Sequence, residues 1–179
     1  MVVREPSPNT VTRGRPHSIS ELVHCLSSPN AVERQSAREH MVFMGSLVVP
    51  HLIKCLSDTQ RQVRWEAAKA LGEIADPIAS TALVGALEDR DGDVRWLAAV
   101  ALIAIGREGL RPLLAALIEH SDSDWLREGA HHLCHELAKT EDGQIVKPVL
   151  DALNASEPEV TVPGAAYFTL KKLGSTPIP

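Results

Sequence analysis

The sequence predicts an all-α fold, an α-solenoid built from about five stacked helix pairs. The first observation is a repeat: residues 63–71 read Val-Arg-Trp-Glu-Ala-Ala-Lys-Ala-Leu, and residues 94–102 read Val-Arg-Trp-Leu-Ala-Ala-Val-Ala-Leu. A period of about 31 residues is typical of stacked units that complete one another's apolar faces. The second observation is that aromatic residues make up only 3% of the chain. Leu, Ala and Val must therefore form the core, through close contacts between helices.

Each predicted unit has a short first helix, a polar turn and a longer second helix. Apolar residues four positions apart, such as Leu22 with Leu26 and Leu52 with Leu56, mark the first helices. Turn residues such as Asp91 can accept hydrogen bonds from the free backbone amides of the helix that follows. We place the units at about 19–49, 50–80, 81–111, 112–147 and 148–174, with an insertion around residues 141–144.

The two ends of the chain differ from the repeats. Residues 1–18 contain Pro and Arg without an apolar period, which predicts an extended arm. The repeat domain is expected at residues 19–174, and residues 175–179 form a short C-terminal tail.

Composition excludes several classes of partner and compartment. The net charge of -5 and the pI of about 5.9 give no general attraction to nucleic acid. No apolar run reaches the roughly 18 residues of a membrane span, and no leader opens the chain. Three cysteines without CxxC spacing suit a reducing compartment. We therefore expect a cytoplasmic protein that neither binds nucleic acid nor inserts into a membrane.

The repeated pattern resembles that of a known family. Val-Arg-x-x-Ala-Ala-x-Ala-Leu, extended in its first copy to Gly72 and Ile74, is similar to the HEAT-like repeats of the phycobilisome-lyase type. Units two and three carry the full pattern, and the other three keep its apolar skeleton. The resemblance covers residues 19–174. It implies a right-handed superhelix whose second helices line the concave side, and it offers a bilin lyase or lyase-like chaperone subunit as one function.

On that concave side, equivalent positions of successive units should form rows. With a constant period, the first row contains two indoles between two cations, which are types enriched at binding hot spots. We predict that this surface binds an apolar and acidic segment of another protein. The predicted contact residues are Arg34, Arg38, Trp65, Glu66, Lys69, Trp96, Leu97, Val100, Ile103, Arg127 and His131.

The two indoles also allow a purely structural interpretation. Trp65 and Trp96 could stack on each other across adjacent repeats, over the stems of Lys69 and Arg127, and so stabilise the solenoid. Both interpretations stay open at this point. For Arg64 and Arg95, which recur beside Asp-bearing turns, we predict ion pairs between repeats with Asp58, Asp89 or Asp91.

The sequence offers little for metal or covalent chemistry. His131 and His135 lie four residues apart, with Glu128 one turn earlier, and are the weak candidates for a metal site. No further ligand set lies elsewhere at a suitable phase, so we expect solvated histidines and no metal. No phosphate loop or nucleophile motif is present. We predict no catalytic residues and no cofactor.

These observations predict a non-enzymatic scaffold that binds a protein on its concave surface. The bilin lyase or lyase-like chaperone subunit is the alternative that the resemblance implies. A lesser alternative is an accessory subunit of a larger complex, held by its Pro-rich arms.

Overall fold

The computed structural model of the protein describes residues 18–175, with side chains through residue 174. Within these residues the chain forms ten α-helices and no β-strand. Short 3-10 turns at Gly45–Val48, Pro77–Ala79 and Gly106–Gly109 join the first four pairs. The helices are α1 (Ile19–Cys25), α2 (Ala31–Met44), α3 (Val49–Cys55), α4 (Arg61–Ile74), α5 (Ser80–Ala86), α6 (Gly92–Ile105), α7 (Leu110–Glu119), α8 (Asp124–Leu137), α9 (Gly143–Leu153) and α10 (Pro158–Ser175).

The predicted terminal segments fall almost wholly outside the described residues. Ser18 is the last residue of the predicted arm 1–18, and it caps α1 in a capping box with Glu21. Ser175, the first residue of the predicted tail 175–179, ends α10. Among residues 18–175, no helix combines the length and the apolar character that a bilayer crossing requires.

The polar turns start the helices as the sequence predicts. The side chains of Asn30, Asp91 and Ser123 accept hydrogen bonds from backbone amides in the first turns of α2, α6 and α8. Each of these amides lacks a partner within its own helix, so the cap supplies the missing acceptor. These caps fix the point at which α2, α6 and α8 leave their turns, whereas α4 begins after Gln60 without a side-chain cap.

The first four pairs stack in two layers with the core between them. The second helices α2, α4, α6 and α8 pack side by side in that order, and α1, α3, α5 and α7 form the opposite layer. Small residues allow the close approach of α4 and α6, because a Cβ added to Gly72 would lie 3.2 Å from the Cβ of Ala101. The predicted α-solenoid, with a core of Leu, Ala and Val, is confirmed.

The cysteines belong to this core or its edge. Cys55 and Cys134 are buried, Cys25 is half-buried, and all three are free thiols. Burial raises the pKa of the Cys134 thiol to about 12. Such a thiol packs as a small apolar side chain.

The fifth pair does not continue the stack in the same order. Here α9 packs against α8, in the layer of the second helices, and α10 packs against α7 and α9. The link before α9 is short, and Gly143 passes so close to the carbonyl oxygen of Ala138 that a Cβ would lie 2.6 Å from it. The insertion predicted at residues 141–144 is wrong in part, because Gly143 and Gln144 already belong to α9.

Candidate functional site

The second helices of the first four pairs each carry an arginine with the same structural role. From Nη1 each donates to the carbonyl oxygen six residues earlier, in the turn before its helix. The shared hydrogen bond identifies the equivalent positions of the repeats. The four residues are Arg34, Arg64, Arg95 and Arg127.

These equivalent arginines show that the repeat spacing lengthens by one residue from unit to unit. The prediction of a constant period is therefore wrong, and Arg34 and Arg127 do not share a row with the indoles. One cause is that α7 has 10 residues where α5 has 7. The corrected row, one position further along each helix, is Gln35, Trp65, Trp96 and Glu128.

Arg38 and Glu66 were expected on an open surface, and this expectation is wrong. Arg38 is 7% exposed and Glu66 is 3% exposed. Nη1 of Arg38 lies 2.5 Å from Oε2 of Glu66, and Nε of Arg34 lies 3.3 Å from Oε1. A buried carboxylate needs such partners because desolvation penalises its charge. The three side chains join α2 to α4 and are not free for a partner.

The ion pair predicted between repeats is confirmed for Arg64. Its Nε lies 2.6 Å from Oδ2 of Asp89, and its Nη2 lies 2.9 Å from Oδ1. The two buried side chains thus form a bidentate ion pair. Burial acts to raise the pKa of the Asp89 carboxyl, but the hydrogen bonds from Arg64 and from the Asp91 amide outweigh it, so the pKa is lowered overall. Arg95, by contrast, binds the Asp89 carbonyl oxygen.

The indoles of Trp65 and Trp96 have different surroundings. Trp65 is half-buried, and Nζ of Lys69 lies 5.1 Å from its ring centre. Trp96 is 57% exposed and stacks on His132, with ring centres 4.8 Å apart. The stacking contact of Trp96 is thus made with α8. Within the described residues, Trp65 and Trp96 do not stack on each other.

An open groove lies between α6 and α8, near their N-terminal ends. Its volume is about 430 Å³. Trp96 lines it from α6 and Trp125, 45% exposed, lines it from α8. Cζ of Arg95 lies 4.4 Å from the centre of the Trp125 ring. The other lining residues are Leu87, Gly92, Ala99, Glu128, Gly129, His131 and His132.

Trp125 is the site residue that the sequence analysis missed. With a constant period, Trp125 would be the repeat equivalent of Val94, which is a core position. In the structure it is Leu126, 1% exposed, that takes the core position, and Val94 is 0% exposed. An apolar residue directly after a tryptophan was the available signal, because only one of the two could face the core of an amphipathic helix.

The remaining predicted apolar contacts lie along α6. Val100 is 38% exposed, whereas Leu97 and Ile103 are partly buried and pack against the core. Arg127 donates to the Ser121 carbonyl oxygen and to the Asp124 carboxylate. Of the predicted contact residues, Trp96 and His131 line the groove.

The histidines of α8 do not assemble a metal site. Nε2 of His131 lies 3.1 Å from Oδ1 of Asn154, and Nδ1 of His135 lies 3.2 Å from Oε1 of Glu136. The two imidazoles stack with ring centres 6.2 Å apart. In the described part of the chain, no three His, Cys, Asp or Glu side chains converge as a metal requires. His131, His135 and Glu128 thus remain weak candidates on sequence spacing alone.

Comparison with known proteins supports the repeat assignment. Residues 49–132, from α3 into α8, match the family model described as HEAT repeats. That match does not distinguish the phycobilisome-lyase type, so the lyase and the complex-subunit alternatives stay predictions. No curated protein matches the sequence.

Two solved structures are similar to the chain at low identity. One is the crystal structure of an engineered protein, with 22% identity over 89% of this chain and 80% of that one, and a TM-score of 0.43. The other is a designed armadillo repeat protein, with 19% identity over 90% of this chain and 94% of that one, and a TM-score of 0.39.

Proposed function

We propose that the protein is a non-enzymatic scaffold that binds another protein in the groove between α6 and α8. One observation carries the proposal: Trp96 and Trp125 are 57% and 45% exposed and line the same open groove. The repeat fold supports it, since stacked helix pairs offer extended surfaces for protein partners.

Energetics favours a partner at this position. Exposed indoles leave apolar surface in water, and apolar surface rimmed by polar residues is typical of interaction sites. Tryptophan contributes strongly when buried at an interface because a large rigid surface is desolvated with little loss of side-chain entropy. His132 holds Trp96 by stacking and so limits its motion before binding.

Alanine at both Trp96 and Trp125 tests the proposal. The double variant should bind a partner more weakly by about 2 kcal/mol or more, roughly thirtyfold in Kd, because two indoles at the centre of an interface are lost. The partner is captured from an extract of the native host with the full chain as bait, and its Kd is then measured with purified proteins.

Phe43→Ala is the matched control. Phe43 is 92% exposed on α2, away from the groove, so its removal should leave both binding and helical content unchanged. If the Trp96→Ala/Trp125→Ala variant keeps its helical circular dichroism and still binds the captured partner, the groove is not the binding site.

Trp65 tests how far the binding surface extends. It occupies the same row as Trp96 on the preceding helix, and the proposal includes it as an outer contact with Lys69, Leu97, Val100 and Ile103. Trp65→Ala should weaken binding less than Trp96→Ala, because Trp65 is half-buried and lies outside the groove lining.

A further inference from the structure

We propose that the groove between α6 and α8 binds a basic side chain, lysine or arginine, from an apolar segment of the partner protein. The indoles of Trp96 and Trp125 would contact the cation, and the carboxylate of Glu128 would supply its counter-charge. The inference rests on the proposed function, because it names the chemistry of the partner for the same groove.

Glu128 is the residue that carries the argument. It lines the groove, is exposed, and has no hydrogen bond or ion pair with any other residue in the part of the chain that the structure describes. Other carboxylates of the second helices are engaged: Glu66 by Arg34 and Arg38, and Asp124 by Arg127. Packing has therefore left this carboxylate beside two indoles without an ion-pair partner of its own, although Arg95 lines the same groove.

The aromatic lining suits a cation as well. Indole faces attract Lys and Arg side chains within about 6 Å of the ring centre. Between residues 18 and 174 this contact occurs internally, with Lys69 on Trp65 at 5.1 Å and Arg95 on Trp125 at 4.4 Å. The guanidinium beside Trp125 thus shows the chemistry that this indole accepts.

The acidic partner expected from the sequence depended on four cations, and three of them are engaged within the chain. Arg34, Arg38 and Arg127 are bound to carboxylates or carbonyl oxygens of the chain itself, and the fourth, Lys69, lies over the ring of Trp65 outside the groove. Arg95 lines the groove with its guanidinium on the Trp125 ring and donates to the Asp89 carbonyl oxygen at 2.8 Å, so it keeps its charge and its position is fixed on one side of the groove. The net charge of -5 also favours a basic partner.

Three matched peptide sets test the inference. All peptides have the same length and the same apolar residues. The central residue is Lys or Arg in the basic set, Gln in the second set and Glu in the third. Binding to the full chain is followed by the indole N–H signals of Trp96 and Trp125 in NMR spectra. The basic set should shift both signals and bind most tightly, and the Glu set should bind least.

Variants at Glu128 identify the counter-charge. Glu128→Gln should weaken binding of the basic set by about fivefold, the effect of an exposed ion pair, and leave the Gln set unchanged. Glu128→Lys should reverse the preference towards the Glu set. Glu108→Gln removes the same charge from an exposed turn outside the groove and should change nothing.

Equal binding of the basic and acidic sets, no response to Glu128→Gln, or no binding by the basic set overturns the inference. The proposed function fails separately, when the captured partner still binds the variant that lacks both groove indoles. A groove that needs Trp96 and Trp125 but shows no basic preference would keep the proposed function and refute this inference alone.

Discussion

Arg38 and Glu66 form the buried ion pair that ties α2 to α4. Their contact of 2.5 Å places two charges where water is excluded, since both side chains are under 10% exposed. Each charge is tolerated because the other is present, and Arg34 and Gln62 also donate to Glu66. A buried pair of this kind adds little net stability, but the loss of one partner is costly.

Glu66→Leu should lower the free energy of unfolding by about 3–5 kcal/mol, because the buried Arg38 loses its main counter-charge and keeps only its longer contact with the more exposed Glu73. Urea denaturation followed by circular dichroism measures the change. The double variant Arg38→Met/Glu66→Leu should recover much of the loss, since no buried charge remains.

Glu73→Leu is the matched control for this pair. Glu73 also contacts Arg38, with Oε1 3.4 Å from Nε, but its side chain is 41% exposed. Its loss should cost at most about 1 kcal/mol of unfolding free energy, as for an exposed pair.

Additive effects of the two substitutions at Arg38 and Glu66 would contradict the prediction, because they would show that the two charges do not depend on each other.

At the scale of the element, the helix pairs could be predicted because the evidence for them is local. Apolar residues four apart define each helix, and residues such as Asp91 and Ser123 define its start. The lengthening of the repeat is not local, because it arises from added residues in other parts of the unit, such as α7. A constant period therefore places Arg34 and Arg127 in the wrong row, while it places Trp96 correctly relative to Trp65.

The pair of Arg64 and Asp89 makes the contact between two successive units pH-dependent. The pKa of Asp89 is lowered in the folded protein. The stabilisation is thus fully present above the unfolded pKa of about 4 and is lost as the pH falls through the folded value. Asp89→Asn should lower the unfolding free energy at pH 7 by roughly 3 kcal/mol, because it leaves Arg64 buried without its counter-charge.

Urea titrations of the wild type and of Asp89→Asn at a series of pH values check this. The difference between them should begin to shrink below about pH 4, where the carboxyl of the unfolded wild type takes up a proton, and should be lost only below the lowered pKa of the folded state. Asp93→Asn, whose side chain is 69% exposed and contacts Arg61, should stay within about 1 kcal/mol of the wild type. A constant difference across the pH range would contradict the assignment.

At the scale of the whole molecule, the reversed fifth pair closes one end of the stack. Because α10 lies on α7 and α9 lies on α8, the last four helices surround a common core, where a regular fifth unit would leave an open apolar face. Arg111 adds to the closure by donating from Nη2 to the Leu173 carbonyl oxygen at 2.8 Å. The sequence could not reveal this, because the apolar spacing of α9 and α10 suits either order of packing.

Among residues 18–175, the first pair buries fewer side chains than the three pairs that follow it. α1 has 7 residues, of which Leu22 is buried, and α2 buries Ala37, Arg38 and Met41 while Phe43 is exposed. In stacked repeats, stability depends on contacts with neighbouring units, so a unit with few buried side chains opens at lower free energy than the rest.

Native-state hydrogen exchange should therefore show a gradient along the chain. Amides of α1 and α2 should exchange fastest among the helices, those of α4 and α6 slowest, and those of α7 to α10 should be protected as one group because their cores are shared. Met41→Ala should speed exchange in α1 and α2 while leaving α7 to α10 unchanged, since Met41 is 0% exposed within the first unit. Equal protection of α2 and α6, or separate opening of α10 ahead of α7, would contradict closure of the stack by the last pair.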